Sequence, residues 1–290
     1  MIRLDAATVL LQWAAGGLLF CWVTTRRRQV GVGYGWLLRG VYLSMALGAV
    51  VVGRRFGPVA LRDLAAAGVA ASAGVALGVS VARRRAGVGG ERAGRHHRRA
   101  RVAAMTGAGP EGGGGREGVG EPASGREFPP ALDLVAPALG GLGLVAAGLD
   151  AGGPAALAVA RTLVGAAFLG AVSDAMLLGH WYLVQPGLAR GPLLELVRWA
   201  AVLWPVEVGL LLVPTGMVSV LSGSVDDGSG GLLGWFWLAC AVATIALCGV
   251  TRAALRERYY SAVMAATGLL YLAILTAFGT DLVARALLAP

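Results

Sequence analysis

The chain contains no lysine, and all 25 of its basic residues are arginine. This absence removes Schiff-base chemistry and the lysine of a phosphate-binding loop. Only three cysteines, Cys21, Cys240 and Cys248, and three histidines are present, too few histidines for an all-protein zinc site. The sequence also lacks HExxH, GxSxG and CxxC motifs. It therefore gives no support to an independent hydrolase or a nucleotide-driven pump.

Charged residues are scarce as well. They make up 14% of the 290 residues, whereas hydrophobic residues make up 57%. A soluble domain is about 25% charged and about 45–50% apolar. Here the apolar residues form several blocks of about 18 residues or more, the length that crosses a bilayer core of about 30 Å. The composition predicts an all-α, polytopic transmembrane bundle, because too little polar sequence remains to cover a soluble core.

About eight membrane-spanning helices are predicted from the apolar blocks. Their expected ranges are 4–24, 34–52, 58–82, 130–149, 154–183, 192–221, 232–251 and 259–288. They form a three-span segment over 1–82 and a five-span bundle over 130–290. The intervening stretch, 83–129, is basic and rich in glycine and cannot bury enough apolar surface to fold by itself. We expect it to be a flexible cytoplasmic loop.

The distribution of arginine predicts the orientation. Most arginines outside the spans fall in loops on one side of the bundle: 26–28, 83–126, 190 and 252–258. Because cytoplasmic loops are enriched in Arg, this side should be cytoplasmic and both termini should face the opposite side. Arg54 and Arg55 lie on that opposite side, but the long basic loop outweighs them. We expect a multi-pass protein of the bacterial cytoplasmic (inner) membrane.

Small residues at a spacing of four predict helix–helix contacts. In the third span, Gly68 and Ser72 are four apart, as are Gly74 and Gly78. Such spacing lets helix backbones approach closely in lipid. The expected partners are the lipid bilayer and other membrane subunits or a second copy of the chain. No nucleic-acid binding is expected, because no aromatic residue interleaves the charges of the basic loop.

Charged side chains within the spans are the candidates for function, since each costs about 2.5–3.5 kcal/mol at the bilayer centre on insertion scales. Asp174 and Glu207 fall near mid-membrane in the fifth and sixth spans, with Arg161 and Arg198 as available counter-ions. We expect the two carboxyl groups to share an interior seam near the bend that Pro205 and Pro214 predict. They either pair with the arginines and fix helix register, which we favour slightly, or carry protons.

Three other intramembrane features are predicted to be structural. Glu195 should cap the sixth span and pair with Arg198 at i+3, and Asp281 should pair with Arg285 at i+4 near an outer helix end. Arg39, one turn inside the second span, should extend its side chain to the headgroups.

His180 is the only histidine outside the basic loop. One intramembrane histidine cannot supply both axial ligands of a bis-histidine haem. A haem such as haem b with Met45, Met217 or Met264 as second ligand, a haem shared with another subunit, and a bound quinone remain open at His180. We favour a plain hydrogen bond to a backbone carbonyl group of the next helix.

Three functions remain open. The favoured one is a membrane subunit or accessory protein of a larger complex, which could be energy-transducing. Whether the chain is an enzyme stays open, and we favour that it is not. The second is a proton-coupled small-solute carrier that uses Asp174 and Glu207. The third is a haem- or quinone-binding redox protein centred on His180.

Overall fold

The computed structural model describes residues 4–86, 127–213 and 216–289. Their α-helices are α1 (Ala6–Thr25), α2 (Val32–Phe56), α3 (Ala60–Ala82), α4 (Val135–Asp150), α5 (Ala155–Val184), α6 (Gly191–Leu212), α7 (Gly216–Leu221), α8 (Leu232–Ala254) and α9 (Tyr260–Leu287). Short 3-10 helices form Arg84–Ala86 and Pro130–Leu134. No β-strand occurs in these residues, so the all-α class is confirmed. Most of the basic loop, 87–126, lies outside the described residues.

Within the described ranges, seven helices are long and apolar enough to cross a membrane. They are α1, α2, α3, α5, α8, α9 and the combined helix Pro130–Asp150. These helices confirm a polytopic membrane bundle. The remaining long helix, α6, carries Glu195, Arg198 and Glu207. The predicted span 192–221 is also divided, because Val213 is extended and α7 begins three residues later. The predicted effect of Pro214 lies outside the described residues.

The helices α1 and α5 form the centre of the bundle. Their apolar windows are 67% and 56% buried, against 33–44% for the other candidate spans. Glycine makes their close crossing possible. A Cβ on Gly16 would collide with the carbonyl oxygen of Ala166, and a Cβ on Gly170 would collide with the backbone of Gly16. Through this crossing, the three-span and five-span segments of the chain share one apolar core.

The small residues of α3 meet two different environments. A Cβ on Gly68 would lie 3.2 Å from Leu139 of α4, so this part of the face packs within the chain. Gly74 and Gly78 meet no atom of the described residues within 4 Å of an added Cβ. The half of the predicted face at Gly68 therefore packs within the chain. That another helix packs against the half at Gly74 and Gly78 stays a prediction.

Arg39 does not reach the headgroups as predicted. It is 2% exposed and forms a bidentate pair with Asp133, with its Nε 2.8 Å from Oδ1 and its Nη2 2.6 Å from Oδ2. Asp133 lies in the 3-10 helix before α4 and also accepts a hydrogen bond from Thr25. A guanidinium can remain buried when a carboxylate binds it in this geometry. The pair joins α2 to the start of the five-span segment.

Glu195 does not pair with Arg198 as predicted. Its Oε1 lies 2.7 Å from Arg26 Nη2 and 3.1 Å from Arg27 Nη2, beyond the end of α1. Arg198 is exposed. The cause of the different pairing is tertiary packing. The end of α1 and the start of α6 meet at the same end of the bundle, which brings Arg26 and Arg27 to Glu195.

The loop before α8 is organised by Asp227. Its carboxylate accepts hydrogen bonds from four backbone N–H groups, those of Ser229, Gly231, Leu233 and Gly234. Hydrogen bonds to a carboxylate favour the charged form, and these, that of Gly231 first, lower the pKa of Asp227 from 3.8 to about 2. This stabilising interaction is complete above pH 3.8 and disappears as the pH falls through about 2.

Candidate functional site

Three helices contribute polar side chains to one buried place, and a fourth contributes a glycine. Gln12 comes from α1, Glu207 from α6, and Asp281 and Arg285 from α9, and each side chain is at most 1% exposed. Gly165 of α5 completes the group, which we call the four-helix polar cluster. By helix rise, Gln12 and Asp281 are each about 9 Å from the same predicted outer end of the bundle. The cluster therefore lies in the predicted outer half of the membrane.

Arg285 links two helices of the cluster. Its Nε donates to Asp281 Oδ2 at 2.7 Å, and its Nη2 donates to Gln12 Oε1 at 2.6 Å. The predicted ion pair between Asp281 and Arg285 is confirmed. It is not, however, a plain pair at a helix end, because it is fully buried and it fixes α9 against α1.

Five polar atoms of the cluster have no hydrogen-bond partner in the part of the chain that the structure describes. They are Gln12 Nε2, both carboxyl oxygens of Glu207, Asp281 Oδ1 and Arg285 Nη1. Most buried polar side-chain atoms in proteins are paired, and an unpaired one costs free energy in an apolar interior. Three of the five are carboxyl oxygens, which can accept a proton, a cation or a hydrogen bond from water, whereas Gln12 Nε2 and Arg285 Nη1 are donors.

The unpaired atoms converge on Gly165. A Cβ built there would collide with Gln12 Nε2 and would lie 3.1 Å from Asp281 Oδ1 and 3.4 Å from Glu207 Oε1. Three polar atoms from three helices thus lie around Gly165, and a methyl group does not fit there without displacing the Gln12 side chain. The described residues leave no room for an organic solute at this point, whereas a proton on a carboxyl oxygen needs none.

Arg161 is not paired directly with Glu207. It lies one turn before Gly165 on α5, and its Nε donates to the carbonyl oxygen of Leu210 at 2.8 Å. Its Nη2 donates to the carbonyl oxygen of Val213. These carbonyl groups are freed where α6 ends, so Arg161 satisfies the helix break beside the cluster.

Asp174 lies in a different buried group. Tyr42 of α2 donates its hydroxyl to Asp174 Oδ1 at 2.5 Å, and Tyr34 donates to the Asp174 carbonyl oxygen at 3.2 Å. The other oxygen, Oδ2, is buried and has no hydrogen-bond partner within the described ranges. Asp174 is nine residues from Gly165 along α5. The close glycine crossing at Gly170 lies between the two positions.

The prediction that Asp174 and Glu207 share one interior seam is therefore wrong. Both carboxyl groups are buried, but Asp174 faces α2 and Glu207 faces α1 and α9. Helices α5 and α6 do pack together as expected. Their rotations about their own axes, which spacing along one helix does not specify, point the two side chains to different neighbours.

The other predicted site residues lie near the bundle surface. Arg198 is exposed at the predicted cytoplasmic end and is not an interior counter-ion. His180 is exposed, and its Nδ1 lies 3.1 Å from the hydroxyl of Tyr271 on α9. Its hydrogen-bond partner is thus a side chain rather than the predicted backbone carbonyl group. A haem or quinone at His180 stays a prediction.

Sequence reasoning missed three residues that shape these sites. Gln12 is a single polar residue in the apolar run LLQWAAGG, and this interruption could have indicated it. Tyr42 gave no signal, because a tyrosine inside a span is ordinary. Gly165 gave no signal in the sequence either, since its role depends on side chains from three other helices.

Together these features define a polytopic helical membrane protein with a charged, buried interior. No family model, curated protein or solved structure matches the chain.

Proposed function

We propose that this membrane protein moves protons or small monovalent cations across the bilayer, and that Glu207 and Asp281 bind them on the way. The main support for this proposal is that unpaired oxygens of Glu207 and Asp281 converge beside Gly165. Ionisable groups within a membrane commonly mark ion or proton pathways. This proposal revises the sequence-based carrier hypothesis by replacing Asp174 with Asp281 as the partner of Glu207.

Charge balance supports an exchangeable ion. Asp281 is neutralised by Arg285 at 2.7 Å, whereas Glu207 has no ion pair among the described residues. An ionised carboxylate without a hydrogen bond is costly in a medium of low dielectric constant. A proton or a monovalent cation on Glu207 removes that cost, and its release restores the charge for the next cycle.

The surroundings of the cluster also suit transport. A small apolar core lies beside it towards the predicted outer end, formed by Leu211, Met217, Val220, Trp237 and Ala284. The break between α6 and α7 adjoins this core, and interrupted helices form ion sites in many transporters. The apolar core would separate the cluster from water. The break between α6 and α7 is a point at which this core could move.

A flux assay tests the proposal. The full chain is reconstituted in liposomes that contain a pH-sensitive dye, and a potassium gradient with valinomycin sets the membrane potential. We predict that proton entry exceeds that of protein-free liposomes and falls to their level in Glu207→Gln. Glu257→Gln, which removes an exposed carboxylate from the loop before α9, is the matched control and should keep the flux. In a second arm, the same proteins are compared with a sodium gradient in place of the proton gradient.

A glycine variant separates space from charge. Gly165→Ala retains every ionisable group but places a methyl group among the unpaired atoms, so it should also stop the flux. Gly209→Ala on α6, whose added Cβ meets no described atom within 4 Å, should not. If the wild-type protein moves neither ion, or if Glu207→Gln transports normally, the proposal fails.

The subunit hypothesis keeps one supporting observation. The open half of the α3 face, at Gly74 and Gly78, is suited to close approach by another membrane helix. The second candidate function is therefore a subunit of a larger, energy-transducing complex in which the cluster would serve the same ion. Identification of the membrane proteins that co-purify with the chain in mild detergent tests it.

A further inference from the structure

A groove of about 560 Å³ opens at the predicted cytoplasmic end of the bundle. It lies between the end of α1, the first half of α6 and the end of α8. Four arginines and four other residues line it: Arg27, Arg198, Arg252, Arg256, Leu194, Glu195, Trp199 and Val202. None of these residues belongs to the four-helix polar cluster.

The groove has an excess of positive charge. Its single acid, Glu195, is already bound by Arg26 and Arg27. Among the described residues, no carboxylate pairs with Arg198, Arg252 or Arg256. Three exposed guanidinium groups, one on α6, one on α8 and one just after α8, therefore face one groove without a counter-ion among the described residues.

The groove is also amphipathic along the membrane normal. In the predicted topology α6 enters the membrane from this end, which places Val202 about 6 Å deeper than Arg198 by helix rise. Trp199 is 41% exposed and Val202 is 52% exposed, so the deeper wall is apolar and open to lipid. A phospholipid has the same order of chemistry, with its phosphate at the headgroup level and its acyl chains below.

We propose that this groove is a binding site for an anionic phospholipid. Arg198, Arg252 and Arg256 bind the phosphate diester, and one acyl chain lies along Trp199 and Val202. Basic pockets between transmembrane helices on the cytoplasmic side bind acidic headgroups in this way. A free phosphate ion would use the arginines but not the apolar wall. The site is independent of the proposed ion transport.

Lipid titration tests the site. The purified, delipidated full chain is titrated with phosphatidylglycerol, with phosphatidylcholine and with inorganic phosphate as competitor, and bound lipid is counted by native mass spectrometry. We expect phosphatidylglycerol to bind at least about tenfold more tightly than phosphatidylcholine, because each basic group contributes at the headgroup level. Millimolar inorganic phosphate should not displace it.

Paired variants locate the site. Arg252→Gln/Arg256→Gln should weaken phosphatidylglycerol binding about tenfold or more. Arg84→Gln/Arg85→Gln removes two exposed arginines from the same predicted face and should change binding less than about twofold. Trp199→Ala leaves all arginines in place and should also weaken binding, which keeps the test informative if the double variant does not fold.

Several results would overturn the assignment. Equal affinity for the two lipids would show that the arginines do not select the anionic headgroup. An equal loss in the Arg84/Arg85 variant would show only general surface attraction. Displacement by millimolar inorganic phosphate would show a free-anion site. Unchanged binding in Trp199→Ala would show that no acyl chain contacts Trp199, and the assignment to a phospholipid would fail.

Discussion

Gly170→Leu should prevent stable assembly of the bundle. A Cβ at this position would collide with the backbone of Gly16, so α1 and α5 would have to separate at their closest crossing. Overpacking in a well-packed core typically costs about 1–3 kcal/mol. Here the obstacle is backbone, which cannot rotate away, so we expect a loss at or above about 3 kcal/mol. The measurement is the thermal unfolding midpoint of the purified protein in detergent, together with the yield of monodisperse protein.

Gly268→Leu is the matched control for this prediction. Gly268 lies within α9, is exposed, and a Cβ there meets no described atom within 4 Å. Leucine also has the higher helix propensity, so the control should be neutral or slightly stabilising. Equal midpoints for the two variants would show that α1 and α5 do not cross closely at Gly170.

Asp133→Ala should destabilise the protein by about 3–5 kcal/mol, because it leaves the buried Arg39 guanidinium without its carboxylate. The pair is 2.6 Å long, and both side chains are at most 3% exposed. Thermal unfolding in the same detergent measures the loss. The expected effect is larger than that of an exposed ion pair, which contributes about 0–1 kcal/mol.

The double variant Arg39→Leu/Asp133→Leu separates the lost contact from the stranded charge. Replacing both members of a buried pair with apolar residues is often neutral or even stabilising. We therefore expect the double variant to recover most of the stability lost in Asp133→Ala. If the two are equally unstable, the cost does not arise from an unpaired arginine.

The helical class followed from the sequence because it depends on composition and on the lengths of apolar blocks. A bilayer requires both, and neither depends on which helix neighbours which. The pair of Asp281 and Arg285 was predictable for the same reason, since its members are one turn apart. Pro214 predicted a bend in the sixth span, and the structure has the helix end at Val213, the residue directly before it.

The contacts that form the sites depend on tertiary structure. Asp133 is 94 residues from its partner Arg39, and Gln12 is 273 residues from its partner Arg285. The rotation of α6 that turns Glu207 towards α1 and α9 has no signature within α6, where apolar residues occupy several faces. Sequence reasoning therefore identified Glu207 as a candidate and assigned it the wrong partner.

Infrared difference spectroscopy during a pH titration tests most directly whether Glu207 exchanges a proton. A protonated carboxyl group in an apolar site has its own C=O stretching band, separate from the bands of carboxylates and amides. We expect this band to titrate reversibly in the wild-type protein and in Glu257→Gln, and to be lost or clearly diminished in Glu207→Gln. An identical titrating band in Glu207→Gln, or none in the wild-type protein, would contradict a proton-exchanging role for Glu207.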